Sequence, residues 1–372
     1  MRNRHVDAML GVGIVFVVLG HRHQPEHLFF PAYTFHMALF FFISGSLATV
    51  RVGWREKLRL AVHKSKTQLL LYFEYNLFFG LVTWLLTFAG ISLGYSVPSF
   101  ATGAAALQSA RDFFVVPFLD GHHYHLHLAA WFILQLYLVH LVFQLVVWSP
   151  RRAWVFTVLA ASIPVTLFAL EKGLADYADL RLTAVRTSFA FLFYLLGYVV
   201  EREQAALRRV LLAPITLAVC FVLVNVLAIN FGNVRYNIVL GNIGNPRVWV
   251  PLCTTALIVA MVYQLCWHVS EALADDAFLF TLGRATLPIL LWHFSVFFLV
   301  NVVLFALGLV RKEELSNNWF VLNGKQTWLL YTVPALCVPI WLDRLLQRSG
   351  ALVSPKRAAA GMARPLLGRP PR

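Results

Sequence analysis

Stretches of about twenty mostly apolar residues recur along this chain until about residue 346, and each is long enough to cross the hydrocarbon core of a bilayer as a helix. In lipid a backbone must satisfy its own hydrogen bonds, so such stretches fold as helices. They fall near residues 7–23, 33–50, 67–89, 127–147, 153–170, 183–200, 209–229, 248–268, 284–308 and 327–346. The expectation is an all-α polytopic membrane protein with about ten transmembrane helices. The third and ninth stretches are long enough to be tilted or broken. Charged residues make up 13% of the chain, about half of what a soluble domain carries. The apolar runs therefore overrule the two or three soluble domains that 372 residues would otherwise allow. One transmembrane domain over 1–348 is expected, followed by a disordered basic tail over 349–372, rich in Ala, Pro and Arg.

Charge placement orients the helices. With the N-terminus inside, the segments on the inner side hold Arg2, Arg4, Arg51, Arg55, Lys57, Arg59, Lys64, Lys66, Arg151, Arg152, Arg202, Arg208, Arg209, Arg284 and the seven from Arg344 to the tail's last residue. That is 21 of the 31 Lys and Arg, against ten on the opposite side with its longer loops. The positive-inside rule then places both termini in the cytoplasm of a multi-pass protein of the inner (plasma) membrane.

The net charge of +14 does not point to nucleic acid, because the cations sit in short connections that face an anionic leaflet. Cys220, Cys253, Cys266 and Cys337 lie in or beside spans with no CxxC pair, which speaks against a disulfide framework or a cysteine metal site. Arg2 and Arg4 before an apolar run resemble a signal peptide, but no small-x-small cleavage site follows. The run reads as a retained first helix. No internal repeat of the transporter kind is visible.

Ionisable groups inside a bilayer are costly and mark function by default. They are His21, His36, Glu74, His140, Arg186 and His293, with Asp7 at the inner mouth of the first helix. Asp7 and His21 fall on nearly one helical face, about 21 Å apart along the axis. His21 is expected near the outer end of its span, either as a proton acceptor or as a helix-end residue wetted by the outer loop. His36 opens the second helix nearby, so the two histidines form either a proton-handling pair or two unrelated helix ends. Glu74 lies roughly 12 Å into the third span and needs a partner or a proton. Arg186 is expected either as a counter-charge for substrate or protein, or as a structural ion-pair or snorkelling residue. The run Gly121-His122-His123-Tyr124-His125-Leu126-His127 would suit zinc only as a strand with further ligands. It precedes a helix instead, and no metal is expected.

Several segments together resemble the acyltransferase 3 family of membrane acyltransferases, most closely its fucose O-acetylase-like branch. They are Asp7, Gly11-Val12-Gly13-Ile14, Val17-Val18-Leu19-Gly20-His21, and Phe35-His36-Met37 leading to Phe40-Phe41-Phe42-Ile43-Ser44-Gly45. Trp131-Phe132-Ile133, Phe193-Tyr194-Leu195-Leu196-Gly197-Tyr198 and the run from Leu282-Gly283-Arg284 to Trp292-His293 follow in order.

The resemblance implies transfer of an acyl group, usually acetyl, from cytoplasmic acyl-CoA (acetyl-CoA) to a hydroxyl of an extracytoplasmic carbohydrate or glycolipid. It implies His21 as catalytic base, with Asp7, His36 and His293 also in the catalytic set. It further implies a polar rim at the acceptor site to which Glu74, His125, His127, Trp131 and Arg186 contribute. Arg51, Arg55, Lys57, Arg59, Lys64 and Lys66 set topology and, under the resemblance, meet the phosphates of CoA. One position departs from the family pattern. Eleven residues before His21, where the family has Arg or Lys, this chain has Leu10. Either Arg4 or the Arg51–Lys66 segment supplies the missing cation, or the activity is lost or changed. The alternative class is a non-catalytic transporter or a glycan- or acyl-CoA-binding membrane protein. A haem carrier with paired span histidines would announce itself by colour.

Overall fold

The computed structural model describes residues 3–21, 32–93, 115–116, 124–172, 180–232, 234, 236–243, 245–316, 319–322 and 327–349. The protein is an all-α membrane protein. Its helices are α1 (Arg4–Gly20), α2 (His36–Ser46), α3 (Trp54–Lys64), α4 (Leu70–Phe88), α5 (Ala130–Val146), α6 (Arg152–Glu171) and α7 (Leu180–Arg202). They continue as α8 (Gln204–Leu211), α9 (Pro214–Phe231), α10 (Trp249–Ala272), α11 (Phe278–Arg284), α12 (Thr286–Ala306) and α13 (Trp328–Ser349). A two-stranded antiparallel hairpin, β1 (Tyr236–Asn237) and β2 (Asn242–Ile243), pairs Tyr236 with Ile243 and Asn237 with Asn242.

Among the described residues, six helical segments are long and apolar enough to cross a membrane: Trp54–Phe88, Arg152–Glu171, Arg181–Arg202, Pro214–Phe231, Trp249–Ala272 and Thr286–Ala306. α2 and α5 are apolar but shorter. The basic tail expected from 349 onward lies, after Ser349, outside the described residues, as do His122 and His123.

Local chemistry explains the helix that matters most. Asn3 caps α1, its side-chain oxygen accepting from the backbone N–H groups of His5 at 3.0 Å and Val6 at 3.4 Å. Asp7 in the first turn complements the helix dipole. Two crossings then lock the bundle at glycines, as small residues do in lipid. A Cβ on Gly45 of α2 would run into the carbonyl of Tyr194 on α7, and one on Gly197 would run into that of Phe42. In the same way, Gly11 on α1 meets the Leu279 carbonyl and Gly283 on α11 meets that of Asp7.

Two stretches differ from the sequence expectation. The basic segment read as a connection is helical: α3 joins α4 through a π-turn at Ser65–Leu69. α3 is amphipathic, with Trp54, Leu58 and Val62 exposed at i, i+4, i+8 and Lys64 buried on the other side. The ninth stretch runs unbroken as α12, but a separate short helix, α11, stands ahead of it; the turn at Ala285 divides the two, and Gly283 of α11 lies against α1.

Candidate active site

His21 follows the last turn of α1, and its half-buried ring packs against α12. It stacks on His293 with centroids 5.3 Å apart and packs against Phe294 at 4.4 Å. His293 lies seven residues into α12, and α12 runs on for about 20 Å beyond it. The ring therefore stands level with the first third of α12. His21 and His36 border a cavity of about 270 Å³ whose walls also include Tyr33, Trp131, Phe132, Tyr236, Asn237, Phe294 and Trp319.

Tyr33 joins the two histidines. Its hydroxyl is 3.2 Å from Nδ1 of His21, and its ring lies edge-on to His36 at 5.4 Å. His36 in turn donates Nδ1–H to the backbone carbonyl of Ala32, one turn earlier. In His293, Nδ1 faces the carbonyls of Ile289 at 2.9 Å and Leu290 at 3.0 Å. A histidine whose Nδ1 carries the proton leaves Nε2 as the basic nitrogen. The contact with Tyr33 sets that tautomer in His21 when Nδ1–H donates to the phenol oxygen.

The other sequence candidates take separate places. Asp7 is buried at the far end of α1, against Gly283. His125 and His127 sit in a 3₁₀ turn at His125–His127 that feeds α5. His127 stacks on Phe79 at 4.7 Å and bonds the Leu291 carbonyl at 3.2 Å, while His125 stacks on Trp319 at 4.6 Å. Trp131 forms cavity wall, with the guanidinium of Arg186 over its face at 5.5 Å. Arg186 is fully buried and donates Nε and a terminal N–H to the carbonyl of Val239. Glu74 is half-buried on α4 and is not part of the cavity wall. His140 on α5 bonds the Leu136 carbonyl at 2.6 Å. Among the described residues, no group of three or more His, Cys, Asp and Glu is arranged to hold a metal ion.

The six cations of the basic segment divide into two sets. Arg55, Arg59 and Lys66 are exposed. Arg51 through its backbone and Lys57 through its side chain meet the end of α5, where the backbone N–H of Arg51 donates to Gln144 Oε1 at 2.9 Å and Lys57 Nζ to the Gln144 carbonyl at 2.6 Å. Lys64 is 7% exposed, lies near His140, and has no carboxylate within salt-bridge distance among the described residues. Four residues on, across the π-turn, Gln68 is wholly buried with neither amide atom hydrogen-bonded. π-turns concentrate at functional sites, and a buried unpaired amide calls for a ligand or water.

A family model described as an acyltransferase domain, that of acyltransferase 3, matches residues 3–344. The chain belongs to the acyltransferase 3 family. No curated protein and no solved structure matches it. The match covers every helix that builds the cavity, so the histidines described above stand inside the domain of a membrane acyltransferase. The four interlocking glycines of this acyltransferase lie in the very segments that carried the resemblance, which gives those motifs a packing reason. Tyr33, Asn237 and Trp319 carried no sequence signal. Tyr33 stands beside a histidine motif without being part of it, and the other two come from connections between helices.

Proposed function

We propose that this acyltransferase moves an acetyl group from cytoplasmic acetyl-CoA to a hydroxyl of a carbohydrate or glycolipid, in the manner of the fucose O-acetylase-like branch. In this reading it crosses the inner (plasma) membrane ten times with both termini in the cytoplasm. The observation that carries the reading is the placement of His21: an imidazole held by Tyr33 and His293 at the wall of an aromatic-lined cavity.

Nε2 of His21 removes the proton of the acceptor hydroxyl, and the oxygen attacks the thioester carbonyl. The carbon–sulfur bond breaks, and the thiolate leaves with the proton that His21 held, giving the ester and free CoA. Base catalysis of this kind contributes roughly 10²–10⁴ in rate. Stacking on His293 keeps the ring of His21 from rotating away. The donor enters from the basic end of the bundle, where Arg51, Lys57 and above all Lys64 meet its phosphates. Lys64 takes the charge that Leu10 does not supply. The cavity's aromatic walls suit a sugar ring, whose apolar faces stack while its hydroxyls bond. Membrane-surface cations such as Arg55 and Arg59 face the anionic leaflet instead.

The test is mass spectrometry of envelope glycans from a strain lacking the gene, complemented with wild type or with His21→Ala. O-acetyl groups present with wild type and absent with His21→Ala are expected. Equal acetylation in both removes His21 from the mechanism.

A further inference from the structure

One wall of the cavity is unlike the rest. Four consecutive residues, Tyr236 to Val239, line it from the short hairpin between α9 and α10, whereas the remaining wall, Trp319 apart, comes from helices and the turns beside them. Such a hairpin is marginal alone, so something must fix it. The buried guanidinium of Arg186 does so by donating two N–H groups to the Val239 carbonyl while lying over Trp131. The ring of Phe189, one helical turn further along α7, packs on Tyr236 at 5.2 Å. A buried cation is costly unless it is bonded, and here that bonding holds backbone that borders the cavity.

The wall carries one carboxamide. Asn237 borders the cavity, and its side-chain oxygen Oδ1 is buried with no hydrogen-bond partner among the described residues. An amide offers two N–H donors and one accepting oxygen, the complement of a vicinal pair of hydroxyls. Burial raises the pKa of the Tyr236 hydroxyl above the ordinary 10.0, opposed by Thr255, so it stays a neutral phenol beside the amide. The neighbouring plates, Trp131 and Trp319, are aromatic. The cavity, about 270 Å³, has room for a sugar ring.

We propose that the Tyr236–Ile243 hairpin is the acceptor-selecting wall, that it reads a neutral sugar ring through the carboxamide of Asn237, and that Arg186 is the positioning residue that holds it in place. This rests on carbohydrate acetylation as the activity. It adds which element chooses the hydroxyl presented to His21.

The experiment uses the full chain in the complemented strain, with the position of each acetyl group on the envelope glycan read by tandem mass spectrometry. Asn237→Ala is expected to lower acetylation at the wild-type hydroxyl by about five- to tenfold, the worth of one neutral hydrogen bond, with acetyl appearing at a second hydroxyl. Arg186→Met is expected to spread the positions similarly, and Arg186→Lys to spread them less. A change of position is not something that partial misfolding produces. If Asn237→Ala fails to accumulate, Asn237→Ser serves in its place. Wild-type position and extent in both Asn237→Ser and Arg186→Met overturns the proposal. If the wild type itself adds no acyl group, the underlying activity is wrong, a different failure.

Discussion

The phenol of Tyr33 and Nδ1 of His21 stand 3.2 Å apart, across a connection of eleven residues between the end of α1 and the turn before α2. With Nδ1–H donating to the phenol oxygen, the pairing leaves Nε2 as the basic nitrogen of His21. Replacement by phenylalanine keeps the ring and removes only the oxygen. Tyr33→Phe is expected to lower turnover about ten- to a hundredfold with little change in the KM for acetyl-CoA, because an orienting group acts on the base and not on donor binding. Steady-state release of CoA by the purified protein with its acceptor checks this.

The glycine crossings supply a stability test. At Gly197 an added methyl meets backbone of α2, which cannot swing away as a side chain can. Gly197→Ala is expected to destabilise the bundle by about 3 kcal/mol or more, at or beyond the upper end for overpacking. Gly53→Ala, whose methyl would find only the Glu56 side chain at 3.8 Å, is the neutral control. Thermal unfolding in detergent distinguishes them.

Much of this was legible in the sequence. The apolar runs located most helices to within a few residues, because lipid leaves the backbone no alternative to the helix. Recognition of the motifs located His21, His36 and His293, which share one neighbourhood, and Asp7, which does not. Three things were not legible. α3 hides in a run of charges, since Trp54, Leu58 and Val62 are too sparse to count as a span. The turn at Ala285 that divides α11 from α12 follows from packing between α11 and α1, which no local residue announces. Tyr33 and Asn237 belong to the site through tertiary placement alone. Arg186, expected as a counter-charge or a structural residue, donates to the Val239 carbonyl.

A buried network ties α12 and α13 to the cavity. Tyr331 donates its hydroxyl to Asn301 Oδ1 at 2.7 Å, and Asn301 donates to the Trp319 carbonyl at 3.0 Å. Trp319 is cavity wall. Asn301→Ala takes away the acceptor of the Tyr331 hydroxyl and the donor to the Trp319 carbonyl, which costs about 1–3 kcal/mol. It is expected to raise the acceptor KM through a loosened Trp319 and to leave the KM for acetyl-CoA near that of the wild type. Paired KM measurements separate the two.

The division of the basic segment makes the sharpest prediction about the donor. Arg55 and Arg59 are exposed on the outer face of α3, whereas Lys64 is buried where α3 meets the π-turn and unpaired Gln68. A charge in that setting is strongly unfavourable until an anion or a bonded dipole reaches it. Its removal in the free protein is therefore tolerated, and Lys64→Met is expected to leave the unfolding temperature equal to or above that of the wild type. The same change is expected to raise the KM for acetyl-CoA about tenfold or more, since a charge-assisted bond to phosphate is lost. The double change Arg55→Gln and Arg59→Gln removes twice the charge from the surface and is expected to alter that KM by less than about twofold, because exposed charges are screened. If the double change weakens acetyl-CoA more than Lys64→Met does, the donor docks on the outer face of α3, and the cation absent at Leu10 is replaced there instead.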